Sequence, residues 1–234
     1  MNRRAGDGGH TIADEMGKIA VKKRHVDPRL SAKAYLERTA SGILPGKYNG
    51  DKKRRQLEGF LFPATYEFTP KTTSNRLVTD QLKAFKRNWA KVDLSDARKK
   101  NLTPYDVLII ASMVEKEVAA PEERALVSAV IYNRLHDGMS LGIDATIRYG
   151  LGVPPTESLK ESQLHSSNPY NTGDGHVGLP PTPIANPGLA SMQAAAHPAK
   201  VNYLFFVRKP DKIHHFFTAS EAEFINYKHA HGYQ

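Results

Sequence analysis

Apolar residues recur at helical spacing along most of this chain. In TIADEMGKIAVKK, residues 11 to 23, Ile12, Met16, Ile19 and Ala20 share one face and predict a short helix. Ser31 is placed to cap a second, running through Leu36 to Ala40. Residues 74 to 92 predict a third, with Leu77, Leu82, Phe85 and Trp89 on one side and Lys83, Lys86 and Arg87 elsewhere. The next has the strongest start signal: Thr103 as N-cap, Pro104 at the first helical position and Asp106 at N3 predict a helix to about Val118. Pro121 opens another, to about Leu135, with Glu122 and Glu123 near its positive end. LASMQAAAHP predicts a helix ended near Pro198, and SEAEFINYKHAHG a last one with Ser220 as N-cap and Glu223 at N3. Only NYLFFVRK, residues 202 to 209, and HHFFTA read as extended. Helices dominate and strands are few, so the expected fold class is α+β.

Between these elements lie stretches of another character. GILPGKYNGDKKRR, residues 42 to 55, reads as loop, and LEGFLFPATYEF as irregular or short extended structure. Residues 150 to 188 hold 13 Gly or Pro among 39. A loop-rich stretch this long inside a compact domain is either functional or disordered. Its embedded Tyr170, Leu179 and Ile184 favour order. The reading is therefore a basic N-terminal segment, residues 1–56, followed by one domain over 57–234.

Charge divides the chain along similar lines. Residues 1–100 carry 23 Lys and Arg against 11 Asp and Glu, and residues 101–234 carry 10 against 13. A basic half suits an acidic partner, but KKR at 22–24, KKRR at 52–55 and RKK at 98–100 are short, scattered and mostly without aromatic neighbours. They point to no nucleic-acid partner. The chain has no Cys, hence no disulfide and no thiolate site. Its ten His form no H-E-x-x-H, and no P-loop is present, so no metal, nucleotide or other cofactor is implied. No apolar run approaches a membrane span, and MNRRAGDGGHTIADEM reads as the middle of a longer chain.

The chemistry centres on ASMVEKE, where Glu115 and Glu117 end an apolar helix. With Val107 at 0°, Glu115 falls near about 80°, between Ala111 and Leu108, and Glu117 near about 280°, between Met113 and Ile110. Lys116, near about 180°, faces the more polar side. Geometry leaves both glutamates open. A carboxyl held against an apolar wall stays protonated near neutral pH and suits a general acid.

In order along the chain stand EGFLFPATYEF, ASMVEKE, ER, VIYNRL, MSLGIDATIRYGLG, NPYNT, GLPPTPIANPG, AAAHPA, YLFFV and HFFT. From about Leu57 to about Tyr227 the chain closely resembles the endolytic murein transglycosylases, the YceG-like family. The resemblance implies cleavage within peptidoglycan glycan strands, between N-acetylmuramic acid and N-acetylglucosamine, beside the peptidoglycan synthases. It also implies 1,6-anhydromuramyl ends formed without water. It assigns the acid to the first Glu of VEKE, Glu115. Asn133, Asp144, Thr146, Tyr170, Asn171, Thr172 and His215 lie in matched motifs and offer hydrogen bonds to the sugars. Asp144 serves equally as a turn or cap residue, Asn133 as a helix buttress and His215 as a structural histidine. The family further implies a LysM-like subdomain, only partly represented in residues 1–56. It also implies a transmembrane anchor, absent from this sequence, that holds the enzyme on the outer face of the cytoplasmic membrane. Two rivals remain: a hydrolytic muramidase using the same acid, and a non-catalytic module binding the cell wall or another anionic polymer.

Overall fold

The computed structural model describes residues 29–40, 55–173 and 175–233. The helix expected over 11–23, most of the loop at 42–55 and most of the segment 1–56 read as partly LysM-like lie outside them.

Helix α1 (Ala32–Ala40) starts where Ser31 Oγ accepts the Ala34 N–H at 3.2 Å. It packs on α2 (Ser74–Trp89), whose N-cap Thr73 accepts the Arg76 N–H. Leu77 and Phe85 of α2 are buried, and Leu82 and Trp89 pack against the core from its margin. The helix stops at Trp89, short of the expected residue 92. A one-turn helix, α3 (Ser95–Lys99), follows.

Helix α4 (Pro104–Glu117) is the centre of the molecule. Its capping box is complete, with Thr103 N–H on Asp106 Oδ2 at 2.8 Å and Asp106 N–H on Thr103 Oγ1 at 3.2 Å. Every residue from Val107 to Val114 is buried, so α4 is enclosed on all sides, as a helix apolar all round must be. Its neighbours are α5 (Arg124–His136), reached through a 3₁₀ turn at Pro121–Glu123, then α6 (Asp144–Leu151) and α8 (Leu189–Ala196). The small residues of α8, Ala194, Ala195 and Ala196, let it lie close against α4 and α5.

Between α6 and α8, and apart from the short α7 (Glu161–Leu164), the described chain is irregular. Polar side chains tie this segment down. Ile184 N–H donates to Ser112 Oγ inside α4 at 3.0 Å, and Asn186 Oδ1 accepts Leu61 N–H at 2.9 Å. Gly59 has φ +89°, and a Cβ there would sit 2.7 Å from Pro183 Cγ, so glycine is required where the two loops cross. A two-stranded antiparallel sheet, β1 (Phe205–Arg208) and β2 (His215–Thr218), pairs Arg208 with His215 and Phe206 with Phe217. Helix α9 (Glu221–Ala230), capped by Ser220, stacks Phe224 on Phe205 at 5.2 Å. The class is α+β.

Candidate active site

The end of α4 separates the two glutamates. Residues two apart on a helix point about 200° away from each other, so Glu115 and Glu117 meet different surroundings. Glu115 turns to α8: its Oε2 accepts the Gly188 N–H at 3.2 Å and the Ser191 hydroxyl at 2.5 Å. Gly188 is the N-cap of α8, so Glu115 caps that helix from outside and meets its positive end.

Glu117 turns the other way, into a cleft of about 940 Å³. Glu115 is not among the residues that line it. Burial pushes the Glu117 carboxyl from the ordinary 4.5 up to about 7, opposed by the Arg208 guanidinium. The Asp144 carboxylate raises it further, while a hydrogen bond from the Ala145 N–H and the Lys116 ammonium hold it down. Ala145 is the second residue of α6, so one otherwise unpaired N–H of that helix meets Glu117.

Two consecutive residues of α5 hold neighbouring backbone in place, and the second of them lines the cleft. Asn133 Nδ2 donates to the carbonyls of Val201 at 3.0 Å and Tyr203 at 2.8 Å. Arg134 donates through Nε to Leu204 O at 2.6 Å, and through Nη1 to Ser140 O at 3.0 Å and Leu141 O at 2.8 Å. They fasten the chain leading into β1 and the loop leading into α6. At the start of β2, His215 is buried together with Glu123. His215 Nδ1 lies 2.6 Å from Glu123 Oε2, and its backbone N–H donates to both carboxylate oxygens, at 2.9 and 3.1 Å. The His215 ring also lines the cleft and meets Phe206 edge-on at 5.4 Å.

Of the residues singled out in the sequence, Asp144 and His215 thus share the cleft with Glu117. The others are engaged inside the protein. Thr146 Oγ1 bonds Ile143 O at 2.7 Å and Thr172 Oγ1 at 2.9 Å, and Thr172 Oγ1 accepts the Ile143 N–H. Asn171 Nδ2 donates to Leu164 O and Ser166 O, both at 2.8 Å. Tyr170 OH meets Thr182 Oγ1 at 2.7 Å beside a separate depression of about 630 Å³. Asn133 borders a third, of about 690 Å³. Sequence reasoning passed over Lys116, Arg148, Tyr149, Phe206 and Arg208, all of which line the cleft. Arg148 and Tyr149 sit inside the MSLGIDATIRYGLG motif, a signal by which they could have been found. Among the described residues no group of three or more His, Cys, Asp or Glu is placed to hold a metal ion.

A model of the YceG-like family matches residues 7–230. A Bacillus subtilis (strain 168) protein named endolytic murein transglycosylase is 35% identical over 156 residues, covering 67% of this chain and 43% of that protein. A Streptococcus pneumoniae (strain ATCC BAA-255 / R6) protein of the same name is 39% identical over 168 residues, covering 70% and 30%. The crystal structure of a yceG-like protein from Listeria monocytogenes matches with a TM-score of 0.77 at 27% identity, covering 97% of this chain and 76% of that one. The chain spans less than half the length of the curated relatives it matches.

Proposed function

This chain belongs to the YceG-like family, and from that premise we propose that it is an endolytic murein transglycosylase whose proton donor is Glu117. One observation carries the choice of residue: Glu117 alone of the two glutamates opens on the cleft, with its carboxyl raised to about 7. This departs from the expectation for Glu115, whose carboxylate is engaged at the start of α8.

A large share of a carboxyl near 7 is protonated at neutral pH, as a general acid requires. In the proposed reaction Glu117 gives its proton to the glycosidic oxygen as the bond to the muramic acid anomeric carbon breaks. The developing oxocarbenium ion is captured by the C6 hydroxyl of the same sugar, which supplies the nucleophile without a diffusing partner. The C6 hydroxyl proton passes to the Glu117 carboxylate, restoring the acid and leaving a 1,6-anhydro end. Between the two transfers the carboxylate is supported by the Ala145 N–H, Arg208 and Lys116. We place the enzyme at the outer face of the cytoplasmic membrane, beside peptidoglycan synthases, on family resemblance. Among the described residues no helix is long and apolar enough to cross a membrane.

Asp144 favours a second reading. It is another carboxylate in the same cleft, and paired carboxyl groups are what hydrolytic glycosidases use to activate water. One experiment covers both readings. Purified peptidoglycan is cleaved in heavy-oxygen water by wild type, Glu117→Gln and Glu115→Gln, and the products are weighed. Unlabelled ends, one water lighter than hydrolytic ends, on fragments of mixed length support the transglycosylase. Labelled reducing ends identify a muramidase. Glu117→Gln should lose orders of magnitude in rate while Glu115→Gln still cleaves; the reverse pattern returns the acid role to Glu115.

A further inference from the structure

The cleft is more cationic than the sequence that builds it. After residue 100 the chain carries 10 Lys and Arg against 13 Asp and Glu, a net negative stretch. Five of those basic residues line the cleft: Lys116, Arg134, Arg148, Arg208 and Lys228. Among the described residues, only Glu117 and Asp144 of the acids do so. Half of the cations against two of the twelve carboxylates among the described residues is a concentration of positive charge around Glu117. A neutral sugar backbone gives no reason for it.

Not all five are available to a ligand. Arg134 is engaged by three backbone carbonyls, and Arg148 Nη1 donates to Pro154 O at 3.1 Å and Glu157 O at 2.6 Å. These two shape the walls. Arg208 differs: it is exposed at the end of β1, and its Nη2 donates a long hydrogen bond to the Glu117 backbone carbonyl at 3.3 Å. That leaves most of the guanidinium fork free to meet a carboxylate in two-point fashion. Lys228 lies one helical turn beyond Phe224, the ring that seats α9 on β1, and its ammonium sits 5.8 Å from that ring. Arg208 and Lys228 thus stand on β1 and on the helix packed against it, along one side of the cleft that holds Glu117.

Resting on the reading that this cleft cleaves peptidoglycan strands, we propose that Arg208 and Lys228 form a carboxylate-binding wall for the substituent on the muramic acid 3-oxygen. That substituent is anionic in either form of the strand. It is the lactyl carboxylate itself in peptide-free glycan, or the carboxylates of the stem peptide in peptide-bearing glycan. Seating the acid beside Glu117 aligns the bond to be cut and makes the enzyme selective for muramic acid over an unsubstituted amino sugar.

Binding is measured in a Glu117→Gln background, so strands stay intact, to fluorescently labelled strands in three forms: peptide-bearing, peptide-bearing with every carboxyl amidated, and peptide-free. The native peptide-bearing form should bind about ten- to a hundredfold more tightly than the amidated form, the range for a hydrogen bond to a charged group. Adding Arg208→Gln and Lys228→Gln together should bring both forms to the weaker affinity, while Arg208→Lys should keep part of the preference. Tight binding of peptide-free strands assigns the lactyl carboxylate as the ligand, and weak binding assigns the stem. Equal affinity for native and amidated strands, or a preference that survives the double substitution, overturns the carboxylate wall and leaves the cleavage reading standing. Absence of binding to all three forms overturns both.

Discussion

Replacing Glu117 with Gln should make the protein more stable, and only above a defined pH. Burial lifts this carboxyl from 4.5 to about 7. Each tenfold change in proton affinity is about 1.4 kcal/mol, so ionised Glu117 costs the folded state up to about 3 kcal/mol relative to the unfolded chain. Below about pH 4.5 the group is protonated in both states and the penalty is nil. Between about 4.5 and 7 the unfolded chain releases a proton that the folded protein retains, so stability falls as pH rises. Above 7 the loss is complete. Water reaching the open side of the cleft trims the figure to roughly 1–3 kcal/mol, or about 3–10 °C in Tm for a chain of this size. Urea denaturation of wild type and Glu117→Gln at about pH 3.5, 6, 7 and 8.5 reads it directly: the curves coincide at the lowest pH and separate as pH rises. Glu115→Gln should go the other way at neutral pH. It weakens a charged acceptor at the start of α8 and loses about 1–2 kcal/mol. If Glu117→Gln were less stable than wild type at pH 8.5, the carboxyl would not be under the strain that suits it for proton donation.

Three further outcomes follow from the same geometry. The pH profile of kcat/KM should fall as pH rises through about 7; Arg208→Gln should move that limb to higher pH, since Arg208 holds the Glu117 carboxyl down, and an unmoved limb would disconnect the two. Glu123→Ala removes the acceptor of both the ring and the backbone N–H of buried His215 and should cost on the order of 3 kcal/mol in denaturation experiments, with a loss under about 1 kcal/mol contradicting the pair's structural weight. Exhaustive chelation should leave cleavage unchanged, and activity restored by a divalent cation after chelation would reveal a metal site.

Local signals made α4 legible. Thr103, Pro104 and Asp106 specify its start in three residues, and the capping box forms as those residue types dictate. Ser31, Ser220 and the paired aromatic runs behind β1 and β2 were readable for the same reason. What the sequence withheld depends on partners far along the chain. Glu122 and Glu123 look alike as acids near a helix start, yet Glu123 is buried against a histidine 92 positions on, while Glu122 stays exposed. Thr146, Asn171 and Thr172 sit in motifs where polar side chains suggest sugar contacts. The motif marks that the position matters, and only the fold shows the side chain turned to a backbone carbonyl or a second hydroxyl. The two glutamates were inseparable on a helical wheel because both have apolar neighbours. The wheel does not say which flank meets α8 and which meets open space.

Those two glutamates act on one another through the helix that carries both. A carboxyl kept from water is under a drive to swing outward and ionise, so a raised carboxyl persists only where its backbone cannot yield. The last turn of α4 is held at Glu115, by Gly188 and Ser191, just two residues before Glu117. The preceding turns are buried on all sides. Glu115 is on this argument a positioning residue, and its loss should show in the titration of its neighbour more than in chemistry. With the anchor weakened, water reaches Glu117, its carboxyl drifts back towards the ordinary 4.5, and the falling limb of the pH profile moves to lower pH. The rate on the acid side of that limb should stay near the wild-type value. A Glu115→Gln protein inactive at every pH, with its fold intact, would instead place Glu115 in the chemistry itself.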